Sequence, residues 1–367
     1  MLGIDRRALQ NFDWFFFGLI GLLVVFGIVN LISATHTGSG EVLSDTVRRQ
    51  LVALGIGGLV LATALIIDYR HFERFAYPLY VATLLLLAAT LLFAPVTRGS
   101  QAWLFEGRVQ PSELAKIGLV LALARYFHRN PPSSITRLRQ LGTPLLIAAL
   151  PVGLIILQKD LGVAMLTLLV ACTFLPLVKI RWRAWSGVAV LAVAALVTLW
   201  TFGLKDYQQQ RILDFVDPAR DPLASGYQAI QSRIAVGSGG FLGKGWQDGT
   251  QTQLRFLPTQ HTDFVFSVLA EEWGFIGAAG VLSLYLTMLL WGLWIARNSK
   301  DGFGAMLAVG LVGSLFWPAA INIAMVLGLA PVVGVPLPLF SYGGSALVVA
   351  ALSLGLLLNV SMRRYVF

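Results

Sequence analysis

Apolar residues run through this chain in long blocks separated by short polar connections. A helix needs about 20 apolar residues to cross the hydrocarbon core of a bilayer. Ten blocks approach that length: 14–34, 47–67, 77–96, 112–127, 142–157, 161–178, 184–203, 262–296, 304–329 and 341–362. They predict an all-α polytopic membrane protein with about ten transmembrane helices. The fourth and fifth blocks are short and are placed by their flanking signals. Trp182, Trp185, Trp200, Trp291, Trp294 and Trp317 fall toward block ends, where an aromatic belt would sit. The block 14–34 follows Arg6 and Arg7 and is too long for a signal-peptide core, so it reads as a retained first span.

One connection breaks the pattern. Residues 204–261 form a long, charged segment between the seventh and eighth spans, whereas the other loops are short. A long loop in an otherwise tight fold is usually functional. Residues 1–367 therefore read as one integral membrane domain carrying a large loop at 204–261. Lysine and arginine set the orientation. Arg6, Arg7, Arg70, Arg74, Arg129, Arg137, Arg139, Lys179, Arg181, Arg183, Arg297, Lys300, Arg363 and Arg364 fall on one side of a ten-span path. Only Arg48, Arg49, Arg98, Arg108 and Lys159 fall in the opposite short loops. The richer side should be cytoplasmic. Both termini are then inside and the loop 204–261 is outside. No internal repeat of the kind that builds many transporters is visible.

Composition agrees. The chain is 57% hydrophobic and 12% charged, against about 25% charged in a soluble domain. The net charge of +9 lies in short loops, which suits topology and anionic lipid rather than nucleic acid. The single cysteine, Cys172, excludes an internal disulfide and a multi-thiolate metal site.

Candidate chemistry gathers where polar residues meet apolar blocks. Gln260, His261, Thr262, Asp263, Glu271 and Glu272 crowd the start of the eighth block. An ionisable group there is expensive unless it is solvated, paired or used. Asp263 is the candidate general base or electrostatic group. A carboxylate in that place also suits a helix cap. Gln110, Pro111 and Ser112 open the fourth helix. Glu113 and Lys116 lie three apart on its face and can pair. Lys116 and Arg108 are candidates for an anionic substrate group, with Glu113 orienting Lys116. Residues 237–245 are glycine-rich and basic without P-loop spacing, so their amides are a candidate phosphate cradle or a flexible turn. The loop 330–342 is apolar with three prolines, which predicts a hairpin that dips back into the bundle.

These segments together resemble the SEDS family (shape, elongation, division and sporulation proteins). The resemblance rests on Gln110-Pro111-Ser112-Glu113 with Lys116, Tyr207 to Ile212 with Arg211, and Gly237-Ser238-Gly239-Gly240 with Gly243-Lys244-Gly245. It continues through His261-Thr262-Asp263-Phe264, Asn322, Gly328 to Pro331, Gly334 to Pro338, and Ser341-Tyr342-Gly343-Gly344-Ser345. It covers essentially the whole chain. Thr259 stands where the family often has glutamate, Lys159 where proline is common, and Ala102 where arginine is usual.

The resemblance implies a ten-span peptidoglycan glycosyltransferase. It would polymerise lipid II at the outer face of the cytoplasmic membrane beside a class B penicillin-binding protein and other elongation-complex membrane proteins. It makes Asp263 the essential residue. No other role is carried over from the family; Arg108, Lys116, Arg211, Lys244 and His261 are candidates for substrate binding from their own chemistry. Gln110, Glu113, Ser341, Tyr342, Gly343 and Gly344 are the orienting candidates. The sequence contains no clear metal-ligand cluster, and a divalent cation at the pyrophosphate stays open. Two other classes compete: a lipid II flippase, and a non-enzymatic scaffold for wall-synthesis enzymes. The lack of a repeat and the one-sided motifs argue against the first, and the density of charged motifs against the second.

Overall fold

The computed structural model describes residues 10–36, 43–96, 100–105, 107, 109–131, 133, 137–179, 185–187, 201, 209, 213, 215 and 225–364. Among the described residues no strand is present beyond one isolated bridge, Leu104 to Val109. The helices are α1 Trp14–Thr35, α2 Asp45–Ile66, α3 Tyr69–Phe93, α4 Pro111–Arg129, α5 Gly142–Leu157, α6 Leu161–Cys172, α7 Ser225–Ser238, α8 Val265–Arg297, α9 Gly302–Val326 and α10 Gly344–Arg363. Among the described residues seven segments are long and apolar enough to cross a membrane: α1, α2, α3, Leu138–Leu157, α8, α9 and α10. The predicted spans 112–127 and 161–178 are the helices α4 and α6, which fall outside that set. The predicted span 184–203 lies almost wholly outside the described residues, as does 204–224 of the long loop. The described part of that loop contains α7 and a short helical turn, Thr250–Gln253.

Polar side chains set where the helices start. Asp13 caps α1 by accepting from the Phe16 amide at 3.1 Å. Its other oxygen accepts from Trp291 Nε1 at 2.8 Å and Ser361 Oγ at 3.1 Å. One carboxylate thus joins α1, α8 and α10. Helix α3 begins eight residues before the predicted span at 77, because two acceptors meet its first amides. Asp68 Oδ1 takes the Arg70 amide at 2.9 Å, and Asn359 Oδ1 takes the Tyr69 amide at 3.2 Å. Hydropathy cannot see such a start, since its first turns are polar. Pro78 inside α3 is tolerated, as prolines in membrane helices are when neighbours absorb the freed carbonyl.

Helix α4 is the axis of the bundle. Fourteen of its 19 residues are buried, including Glu113 and Lys116. It packs against α3 and α9, and α2 packs along α10. Small residues allow this closeness. A Cβ on Gly310 of α9 would stand 2.6 Å from Val120 of α4. A Cβ on Gly355 of α10 would stand 2.9 Å from Ala64 of α2. Close approach at small residues is how helices associate where lipid gives no hydrophobic driving force.

Helix α8 is broken. Gly274 has φ 63° and ψ −161°, which no helix accommodates. The backbone groups freed there are taken by the glycine-rich loop after α7. The Lys244 amide donates to Glu271 O at 3.1 Å and the Gly245 amide to Glu272 O at 3.0 Å. In return the amides of Phe275 and Ile276 donate to Gly240 O at 2.9 Å and Phe241 O at 3.2 Å. A Cβ on Gly243 would collide with the Glu272 carbonyl, and one on Gly239 with the Ala270 carbonyl. The glycines therefore exist to let two backbones touch.

Candidate active site

The motifs meet at one end of the bundle. There α1 and α9 finish, and α2, α4, α6, α8 and α10 begin. Asp263 lies in the turn before α8. Its amide donates to Thr259 O at 3.1 Å, as does the Thr262 amide at 3.0 Å. Thr259 adopts φ 54° to offer that carbonyl. The cap position of α8 falls on Phe264. The expected alternative, Asp263 as the cap of this helix, is therefore not what the backbone builds. The Asp263 side chain is half-buried.

The proline hairpin 330–342 packs onto this turn, as its apolar sequence predicts. Asn322 of α9 joins the two, since its Nδ2 donates to Asp263 O at 2.8 Å and to Val335 O at 2.6 Å. The Tyr342 amide donates to His261 O at 3.0 Å, and the two rings lie 6.0 Å apart. Gly334 has φ 73°. A Cβ there would stand 3.5 Å from Asp263 Oδ2, so the hairpin presents bare backbone to the carboxylate. Ser341 Oγ accepts the Leu337 amide at 2.9 Å and closes the hairpin. Gln50 of α2 holds its other end, donating to Ser341 O at 3.0 Å and accepting from the Gly343 amide at 3.2 Å. The Tyr285 hydroxyl donates to Pro338 O. Gly344 opens α10. Ser341, Gly343 and Gly344 are thus seated in the scaffold under Asp263.

On the other side of the hairpin lies a second polar group. A Cβ on Gly162 would stand 2.6 Å from Val333, the neighbour of Gly334. Two residues earlier Asp160 caps α6 by accepting the Val163 amide at 3.2 Å. Its Oδ2 accepts from Gln110 Nε2 at 3.1 Å. Burial pushes the Asp160 carboxyl above its ordinary range, and the Val163 and Gln110 donors pull it partly back. Lys116 and Glu113 form the expected ion pair at 2.8 Å, with side chains 4% and 12% exposed. Lys159 sits at φ 64°, a backbone conformation that proline cannot adopt.

The remaining candidates separate from this group. Lys244 Nζ donates to Glu271 Oε1 and to Thr250 Oγ1, both at 2.8 Å. Glu271 is fully buried and also accepts from the Gln251 amide at 2.9 Å, the Thr252 amide at 3.1 Å and Thr252 Oγ1 at 2.9 Å. The amides of Gly243, Lys244 and Gly245 are likewise committed, to Gly239, Glu271 and Glu272 carbonyls. These three amides, offered by the sequence as a phosphate cradle or part of a flexible turn, clamp the break in α8. Arg108 and Arg211 lie outside the described residues. Among the described residues no three His, Cys, Asp or Glu converge as a metal site.

Sequence reading missed Gln50, Asn30 and the reach of Gln260. Asn30 Nδ2 donates to Val265 O at 2.9 Å, and Gln260 Nε2 to Ala34 O at 2.8 Å. Both tie α1 to the Asp263 turn. Their only sequence signal is an uncharged polar residue inside or beside an apolar run.

Comparison with known proteins places this arrangement. The model of the FtsW/RodA/SpoVE family, described as cell cycle protein, matches residues 9–366. The peptidoglycan glycosyltransferase MrdB of Escherichia coli K12 is 44% identical over 322 residues, covering 86% of each chain. The peptidoglycan glycosyltransferase RodA of Treponema pallidum is 31% identical over 432 residues, covering 98% of this chain and 99% of that one. A chain of a solved peptidoglycan synthase complex superposes with a TM-score of 0.80 at 39% identity, covering 97% of this chain and 99% of that one. The crystal structure of the Thermus thermophilus rod shape determining protein RodA gives 0.71 at 34% identity, covering 96% and 98%. The chain belongs to the FtsW/RodA/SpoVE cell cycle protein family, the SEDS proteins its motifs resemble.

Proposed function

We infer that this chain is a peptidoglycan glycosyltransferase of cell elongation and shape. Curated relatives carry that activity in their names over most of the chain's length. It is a multi-pass membrane protein. The observation that carries the mechanism is the position of Asp263. It is a half-buried carboxylate against the bare backbone of Gly334, at the end of the bundle where the motifs converge.

The substrate is lipid II, and growth adds a disaccharide to a glycan strand. Asp263 takes the proton from the acceptor sugar's 4-hydroxyl. That oxygen attacks the donor's anomeric carbon, and the bond from that carbon to the pyrophosphate oxygen breaks. Undecaprenyl pyrophosphate leaves with the electron pair. One displacement converts an α-linked donor into a β-linked product. The leaving group is already stabilised, so the paired carboxylates of a hydrolase are not needed. Positive groups that reach the pyrophosphate would assist its departure. Lys116, Arg108 and Arg211 are the candidates, and His261 at the turn is a candidate for substrate binding. Lys244 is a further candidate; like Lys116 with Glu113, it is already paired with a carboxylate, Glu271, at 2.8 Å. A magnesium ion needs only one or two protein carboxylates; if one is used, Asp263 would hold it, and it would supply charge stabilisation to the leaving pyrophosphate. No step here depends on it.

The distribution of lysine and arginine supports ten spans with both termini cytoplasmic and the Asp263 end outside. A class B penicillin-binding protein is the proposed partner, alongside other membrane proteins of the elongation complex. The likeness to a chain of a peptidoglycan synthase complex supports it. The test is polymer formation from lipid II by the purified protein, with and without that partner. Translocation of lipid II without polymer, from an active preparation, would favour the flippase reading.

A further inference from the structure

Residues 239–246 leave α7 and lie against the break in α8, and their outward side chains are apolar. Phe241 is 65% exposed and Leu242 76%. Phe241 stacks on Phe275 of α8 with ring centroids 5.8 Å apart. Phe275, Ile276 and Trp246 extend the same exposed patch. Large apolar side chains grouped on a surface mark a contact site.

Four observations say what covers it. The patch continues a membrane-facing surface. Helix α8 is apolar enough to cross a bilayer, and its exposed Leu286 and Leu293 follow Phe275 at 11 and 18 residues, close to whole helical turns. The loop's one charge, Lys244, is 25% exposed and is neutralised by Glu271, which is 0% exposed. The carbonyls of Gly240, Phe241 and Gly245 and the amides of Gly243, Lys244 and Gly245 are bonded within the protein. Each group so paired lowers the cost of placing non-helical backbone in hydrocarbon. The depth is also fixed. Trp246 Nε1 donates to Val29 O at 3.4 Å, and Val29 lies six residues before the end of α1, about 9 Å down its axis.

We propose that residues 241–246 form a re-entrant wedge seated among the acyl chains of one membrane leaflet, with the Lys244 and Glu271 ion pair hiding the charge that would otherwise bar its entry. The proposal goes beyond glycosyl transfer and does not depend on it. It explains why α8 is broken: Gly274 opens the notch that receives the wedge.

The test uses nitroxide labels at Phe241→Cys, Leu242→Cys and Asp248→Cys, each in a Cys172→Ala chain. The protein is reconstituted alone into phosphatidylethanolamine and phosphatidylglycerol vesicles. Labels at 241 and 242 are expected to collide several-fold more with dissolved oxygen than with a water-soluble nickel chelate. The exposed position 248 is expected to show the reverse. Labels at 241 and 242 that behave as 248 does would overturn the proposal. So would labels closed to both reagents, which would mean a protein cover such as a second copy. Should the labelled chains not fold, native protein and Trp246→Phe are compared in chain-brominated lipid. Native protein is expected to lose the larger fraction of its fluorescence, and equal fractional quenching overturns the wedge.

Discussion

Two carboxylates sit on the same stretch of chain, eight residues apart, and their surroundings differ in kind. Glu271 is fully buried and saturated by Lys244, Thr250, Gln251 and Thr252. Asp263 is half-buried, with its side chain against a glycine backbone and its main chain held by Thr259 and Asn322. In Glu271 the carboxylate is the acceptor around which a loop is organised. In Asp263 the fold holds the backbone and leaves the carboxylate at an edge. A buried, fully satisfied charge contributes geometry, whereas catalysis needs a carboxylate that substrate can reach.

That contrast is broken first at Glu271. Glu271→Ala strands Lys244 and the Gln251 and Thr252 amides. The expected loss is about 3–5 kcal/mol of stability, as for other half-deleted buried pairs. Thermal melting in detergent reads it, and a melting point within error of native would remove the organising role. The Lys116 and Glu113 pair should behave in the same way at slightly smaller scale. Lys116→Ala leaves a carboxylate uncompensated inside α4, while Glu113→Gln with Lys116→Met removes both charges and should recover most of the stability. Strictly additive losses would show that the pair is not coupled.

A third change acts on backbone alone. Gly274→Ala forces a Cβ into the Gly243 amide at a φ that side chains avoid. A loss of about 1–3 kcal/mol is expected from strain of this kind. An unchanged melting curve would mean the break in α8 is not held by the glycine loop. The smallest effect is at Asp160. Its folded pKa is raised by burial, so the native state holds this proton more tightly than the unfolded chain does. The group's contribution is complete below the unfolded pKa, near 3.9, and declines as pH rises toward the native value. Asp160→Asn keeps the cap on α6 and should flatten the stability profile over that acidic window. A steeper profile in the variant would reverse the sign assigned here.

The seven apolar spans found among the described residues were legible because lipid imposes length and apolarity on each one. The ion pair of Glu113 and Lys116 was legible from helical spacing, and so was the concentration of motifs before α8. The hairpin's inward course followed from its three prolines and lack of charge. What stayed hidden depends on contacts between distant segments. The glycines at 239–245 carry the same composition whether they cradle phosphate or let two backbones meet, and only the break at Gly274 decides between them. Gln50, Asn30 and Gln260 bond to backbone carbonyls far along the chain. Such partners leave no local pattern to read. The early start of α3 was missed because its caps, Asp68 and Asn359, include one residue from the far end of the sequence.

The central claim is that Asp263 performs chemistry while its neighbours hold shape. The direct measurement is glycan polymer formed from lipid II by purified native protein and by Asp263→Asn, with melting curves of both. Asparagine keeps the size and most of the hydrogen bonding of aspartate but removes the base. The account predicts native-like melting and partner binding, with polymer formation reduced at least by the roughly 10²–10⁴-fold assigned to general-base catalysis. Near-native polymer from a well-folded Asp263→Asn protein would contradict it.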